Sequence, residues 1–222
     1  MQNRQLIPTH QIIAFVVFLS AALITSLFVF HLKNQSKTPT LDSKYGLIFP
    51  VARDINSFEL VTTNNSDGHT PAKFTLENFY HHWTLLFFGF THCASVCPST
   101  LDTINRAYTT LHNQYPNLQV VLISVDPERD TPASLTQYTH SFNPAFIGAA
   151  GKIDVLRKLQ SQLGVYAARE TNANTNYQIE HTATILLINP QGKWAGLFNY
   201  GLKPLELAQA FSDSVNALSN EK

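Results

Sequence analysis

The apolar positions of this chain change their period several times, and each change marks an element. Ile12 to Leu32 is an apolar stretch without Lys, Arg, Asp or Glu. At about 1.5 Å rise per residue it matches a hydrocarbon core of about 30 Å, so it reads as a transmembrane anchor. It is longer than the apolar region of a cleavable signal and lacks a convincing small-x-small site after it. Arg4 lies on one side of it and Lys33, Lys37 and Lys44 on the other, so the positive-inside count does not orient it. Residues 1–11 form a short tail, and residues 33–46, polar and interrupted by Pro39, read as a tether. A folded domain is expected from Leu47 to Lys222.

Within that domain the pattern alternates between strand and helix. Phe58 to Thr62 and Lys73 to Leu76 flank the turn-rich Asn64 to Gly68 and predict a β-hairpin. Trp83 to Phe90 is a nearly continuous apolar run, as expected of a fully buried strand. Leu101, Ile104, Tyr108 and Leu111 then recur at helical spacing, up to a break at Tyr115-Pro116-Asn117. Leu118 to Val125 is a second buried strand, so strand, helix and strand form a parallel pair with a crossover. Thr131 is placed to cap a helix that begins with Pro132, and a further helix runs from Ile153 to Leu163 before Gly164. Ala183 to Ile188 and Lys193 to Phe198 flank the turn Asn189 to Gly192, and Pro204 to Leu218 closes as an amphipathic helix. The order is that of an α/β, thioredoxin-like sandwich, here with an N-terminal β-hairpin extension and preceded by a single transmembrane helix.

Composition narrows the function. The chain has 222 residues with 15 basic and 15 acidic side chains, which gives no electrostatic case for nucleic acid. Its two cysteines, Cys93 and Cys97, are too few for a disulfide framework. They stand where the first buried strand turns into its helix, and a helix N-terminus favours thiolate over thiol. Cys-x-x-x-Cys is one residue wider than the common redox spacing and on a helix would stack the two residues at i and i+4. Two thiolates on one metal sit wider apart than the 2.05 Å of a disulfide, so the spacing tilts toward metal without excluding redox chemistry. Soft thiolates select Cu(I), or Zn given further ligands, and one imidazole would complete a three-coordinate site.

Of the nine histidines, His181 is the best candidate, because it directly precedes a core strand whose entry loop lies against the cysteine-bearing helix in such a sheet. His92 adjoins Cys93 but is expected to point away. His81 and His82 fall at the far end of the first strand, and His10, His31, His69, His112 and His140 have no partner in view. Asp126 lies at the carboxyl end of the second strand, either near the site or as a turn carboxylate before Pro127. Glu128, Arg129 and Asp130 read either as an exposed charged turn for a partner or, by default, as a solvated loop.

Three ordered segments carry a resemblance: GFTHCASVCPSTL (Gly89 to Leu101), SVDPERDTP (Ser124 to Pro132) and YQIEHTATILLINPQG (Tyr177 to Gly192). Together they resemble the Sco (SenC-type) family of membrane-tethered, thioredoxin-fold copper proteins, over roughly Phe58 to the last helix. The resemblance implies copper, as Cu(I) and Cu(II), on Cys93, Cys97 and His181, with Asp126 as a possible outer or weak ligand. It implies a metallochaperone rather than an enzyme, helping to deliver copper to the CuA centre of cytochrome c oxidase. The partners it implies are oxidase subunit II or another copper-site protein, an upstream copper donor, and the membrane through the N-terminal helix. The expected place is an inner membrane with the domain in the periplasm, or in the intermembrane space if mitochondrial.

Two departures are visible. Ala94 and Ser95 stand where the family often has Pro-Asp, and Glu180 stands where Asp often precedes the histidine. The strand after His181 is entered through Thr182 and Ala183 rather than the proline of ordinary thioredoxins, which argues against general disulfide exchange. The alternative functions are a thiol-disulfide oxidoreductase that reduces a partner's copper-site cysteines, with Cys93 and Cys97 cycling through a disulfide, and a redox sensor.

Overall fold

The computed structural model describes residues 18–27, 44–64, 70–170 and 177–219. The chain divides into two compact units, Met1–Thr38 and Pro39–Lys222. In the first, residues 18–27 form helix α1, whose Phe18, Leu19, Leu23, Ile24 and Leu27 are exposed. The rest of the expected anchor, the tail and most of the tether lie outside the described residues. Among the described residues no helix is long and apolar enough to cross a membrane.

The second unit is built on one six-stranded sheet. Its elements are β1 (Gly46–Arg53), β2 (Glu59–Thr62), β3 (Ala72–Thr75), β4 (Trp83–Gly89), α2 (Val96–Leu111), β5 (Leu118–Ser124), α3 (Pro132–His140), β6 (Ile147–Ala149), α4 (Ile153–Gln162), β7 (Ala167–Arg169), β8 (Ile179–His181), β9 (Ile185–Ile188), β10 (Trp194–Phe198) and α5 (Pro204–Ser219). The sheet order is β1-β10-β9-β4-β5-β6, and β2-β3 and β7-β8 are separate two-stranded sheets. β4 pairs parallel with β5 from Trp83↔Leu118 to Gly89↔Ser124 and antiparallel with β9 on its other side. All seven residues of β4 are buried, as a central strand covered on both faces requires.

Helix α3 forms where capping and spacing agree. Thr131 and Ser134 exchange reciprocal hydrogen bonds at the start of α3 with Pro132 in the first turn, the arrangement expected from sequence. The α2 stripe of Leu101, Ile104, Tyr108 and Leu111 is buried, and α2 packs against α5. Phe211 of α5 meets Trp83 edge-on at 6.3 Å and Tyr115 at 5.1 Å, which ties the last helix to the sheet.

The structure corrects the sequence reading in several places. The expected hairpin is present as β2 and β3, with Leu76 in a short 3-10 turn, Leu76–Phe79. β1 was not anticipated. Pro50 in its middle removes a donor and argues against a central strand, but β1 is the sheet edge and is irregular between Ile48 and Arg53, where proline is tolerated. The end of the expected tether belongs to the fold, because Asn199 donates its backbone N–H to Tyr45 O and its side-chain amide to Lys44 O. The strands β6, β7 and β8 have three residues each, too short to show a period.

Phe211→Ala should remove about 3–5 kcal/mol of stability, read as a lower urea midpoint at unchanged slope. A loss below about 1 kcal/mol would show that the α5 aromatic cluster does not hold the helix to the sheet.

Candidate metal centre

The carboxyl end of β4 sets the position of both cysteines. After Gly89 and the buried Phe90 the chain turns through Thr91 to Ser95, and α2 begins at Val96. Cys93 therefore lies ahead of the helix and Cys97 at its second residue, rather than both on one helical face. Ser95, at φ −147° and ψ −60°, is the residue that departs from helical geometry. The Cys93 N–H donates to Phe90 O at 3.3 Å, and the Cys97 N–H points back at Cys93 Sγ, also at 3.3 Å. Gly89 lets the strand end pack closely, since a Cβ there would stand 3.0 Å from the Phe87 ring and 3.1 Å from Cys97 Sγ, tight enough that these side chains would have to give.

The two thiols are electrostatically unequal. Cys93 is held down to about 4, chiefly by the hydrogen bond from the Cys97 thiol, against a burial penalty and with further help from His181 and the N–H groups of Cys97 and Ser95. Cys97, fully buried, is pushed up by the neighbouring Cys93 sulfur and by burial. At neutral pH the pair is one thiolate and one thiol sharing a proton.

His181 closes the group. It ends β8, where it sits opposite Ala167 of β7. The expectation that it directly precedes a core strand is therefore corrected: β9 begins at Ile185, and His181 belongs to a separate hairpin. Its Nδ1 lies 3.0 Å from Thr182 O. A carbonyl only accepts, so Nδ1 carries a hydrogen, which leaves Nε2 as the ring nitrogen that faces the sulfurs and, without a proton, could serve as a ligand. That Nε2 is 3.4 Å from Cys97 Sγ, and the Phe87 and Phe90 rings meet the imidazole edge-on at 5.9 Å each. The two sulfurs and the imidazole nitrogen all lie within 4.8 Å of one another. Two soft sulfurs and one nitrogen that close, with one sulfur already thiolate, suit a soft monovalent ion such as Cu(I).

The other candidates fall outside this cluster. Asp126 is buried, with Oδ1 accepting from the Tyr177 hydroxyl at 2.6 Å and Oδ2 from Arg129 Nε. Glu128 is exposed, as a solvated loop predicts, but Asp130 is only 4% exposed. Asp130 accepts from the Ser124 hydroxyl at 2.7 Å and from the Thr91 hydroxyl and N–H, and so ties the cysteine turn to the end of β5. Burial raises its pKa. His92 is exposed and bonds its Nδ1 to Thr91 Oγ1, His82 bonds Asn117 O, His112 stacks on Tyr108, and His140 Nε2 lies 2.6 Å from Asn64 Oδ1. His10, His31 and His69 lie outside the described residues. Sequence reasoning missed Asp130, Thr91 and Tyr177, and the one available signal was that Thr91 and Tyr177 lie inside the cysteine and histidine segments.

Iodoacetamide should label Cys93 at a rate that stays nearly flat from pH 8 down to about pH 5 and falls only near pH 4, because the depressed pKa keeps the thiolate above that value. Cys97 should remain largely unlabelled until the chain is unfolded, as read by peptide mass mapping. Equal labelling of both with a midpoint near 8.5 would refute the shared-proton pair.

The family model for SCO1/SenC matches residues 52–216. A protein of Stutzerimonas stutzeri named for copper binding is 34% identical over 170 residues, covering 76% of this chain and 80% of that one. Among solved structures, Bradyrhizobium japonicum ScoI with copper bound has a TM-score of 0.62 at 31% identity, covering 73% of this chain and 98% of that chain. Arabidopsis thaliana ScoI with copper bound has a TM-score of 0.66 at 25% identity, covering 72% and 97%. With three-quarters of its length matched by the family model and the same fold in these relatives, the chain belongs to the SCO1/SenC family.

Proposed function

We propose that this protein is a copper metallochaperone that binds copper through Cys93, Cys97 and His181 and passes it to a copper-site protein, the CuA subunit of cytochrome c oxidase being the recipient that fits the family. The observation that carries this reading is the convergence of two sulfurs and one imidazole nitrogen within 4.8 Å. It is supported by the copper-bound ScoI structures that share the fold and by membership of the SCO1/SenC family. A soft three-coordinate site holds Cu(I) while leaving room for an incoming ligand, so the ion leaves by stepwise exchange rather than by unfolding. Asp126, with both oxygens engaged, acts on the site only indirectly. The apolar stretch Ile12 to Leu32, of which residues 18–27 form α1, supports a single membrane anchor, and family membership rather than the charge pattern favours the periplasmic or intermembrane-space side for the domain.

A second reading has its own observation, the thiolate and thiol pair. Cys93 thiolate attacks a partner disulfide to form a mixed disulfide, and Cys97, losing its proton, displaces the partner. The partner then holds two thiols and this chain a Cys93–Cys97 disulfide, so two electrons move, and His181 is dispensable.

Titrating the reduced full-length protein in detergent with Cu(I) against a chelator separates the two. One tight copper per chain is expected, lost in a Cys93→Ser, Cys97→Ser double variant and weakened about tenfold, about 1.4 kcal/mol, by His181→Ala. Binding indifferent to His181→Ala would leave a dithiol and favour the reductant. Carbonate washing of membranes should leave the full chain in the pellet, and its release to the supernatant would exclude the anchor.

A further inference from the structure

The imidazole of His181 rides on a hairpin that, among the described residues, shares no strand pairing with the six-stranded sheet, so besides the short link to β9 it is side-chain contacts that hold it against the sulfurs. Ala167 and Ile179 pack on the core and Gln178 Nε2 donates to His92 O at 3.3 Å, and a further group of contacts gathers on Tyr177, two residues ahead of β8. Its hydroxyl donates to Asp126 Oδ1 at 2.6 Å. Asp126 is 2% exposed, and its backbone N–H donates to Ser124 Oγ at 2.9 Å, at the end of β5. The hydroxyl is thus anchored to the central sheet through one buried carboxylate.

The ring of Tyr177 is held as firmly as its hydroxyl. The guanidinium carbons of Arg129 and Arg169 each lie 3.6 Å from its centroid. Two cations that close cannot share a face, so the ring is sandwiched between them. Arg129 is ion-paired to Asp126, and its Nη2 is buried without a hydrogen-bond partner among the described residues, which leaves the aromatic face as what it meets. Arg129 also lies 5.8 Å from the Phe90 ring, whose edge contact with His181 is described above. On the other side Arg169 belongs to β7 and pairs with Glu128 at 3.3 Å. The stack therefore runs from β7 through Tyr177 and Arg129 to Phe90 and the imidazole, and it clasps the hairpin to the loop that follows β5.

We propose that Tyr177 is a positioning residue for His181: its hydroxyl on Asp126 and its ring between the two guanidiniums lock the β7–β8 hairpin so that Nε2 faces the two sulfurs. This rests on the copper-site reading above for its effect on metal, though not for its effect on the hairpin. A phenol is what the place requires, since phenylalanine fills the sandwich without reaching Asp126, and an aliphatic side chain does neither.

The test uses full-length protein in detergent, with Tyr177→Phe, Tyr177→Leu, His181→Ala and the Tyr177→Phe, His181→Ala double variant. In the metal-free protein, amide exchange over residues 179–182 should rise about tenfold in Tyr177→Phe and further in Tyr177→Leu, with β4 and β5 unchanged. Cu(I) affinity should fall in Tyr177→Phe by no more than it falls in His181→Ala, and the double variant should bind no more weakly than His181→Ala alone, because both act through one nitrogen. Unchanged hairpin exchange in both Tyr177 variants overturns the proposal. Losses that add in full in the double variant overturn it too, and so does a uniform rise in exchange across β4 and β5, which would make Tyr177 an ordinary core residue. If His181→Ala binds copper like the parent, the three-ligand reading falls, and the exchange measurement alone decides the positioning role.

Discussion

The site depends on one constraint, the burial of β4 between a parallel and an antiparallel neighbour. With every side chain of Trp83 to Gly89 covered, the strand cannot slip by a residue without turning its whole pattern over, so its carboxyl end is fixed. Gly89 terminates it where a side chain would crowd Cys97, and the turn that follows has only a few residues in which to reverse into α2. The spacing of the cysteines is therefore a property of the sheet as much as of the motif. The last ladder bond, from Val125 N–H to Gly89 O at 2.9 Å, brings the end of β5 alongside, and with it the carboxylates that brace the turn.

Much of this was legible in the sequence because it rests on long apolar runs. β4, β5, α2, α5 and the capped start of α3 follow from periodicity and from Thr131-Pro132, signals that tertiary packing reinforces rather than overrides. β1 was hidden by Pro50, and β6, β7 and β8 by their length. Cys93 and Cys97 could be chosen from the sequence because a strand-to-helix turn is where thiols react. His181 could be chosen, but its carrier could not: the hairpin pairs over Ala167–Arg169 and Ile179–His181, and neither segment alternates apolar with polar. Asp130 was misread as solvated because local sequence shows charge and not what Thr91 and Ser124 offer it from distant positions.

The carboxylates at the end of β5 show how the fold divides labour. Asp130 braces the cysteine side through Thr91, and Asp126 braces the histidine side through Tyr177. Each is buried, each is satisfied by several donors, and neither is among the groups that meet at the sulfurs. Two acids four residues apart thus serve two arms of one site, and the arms also touch directly where Gln178 Nε2 donates to His92 O at 3.3 Å.

Cys97 is wholly shielded, while Cys93 is partly open to solvent. A group arriving from another protein meets Cys93 and its exposed neighbours Ala94 and Ser95 before it can reach the sulfur behind them. Under the transfer proposed above, an acceptor would therefore meet Cys93 from the loop side first, and the buried Cys97 would be the last ligand to let go of the ion.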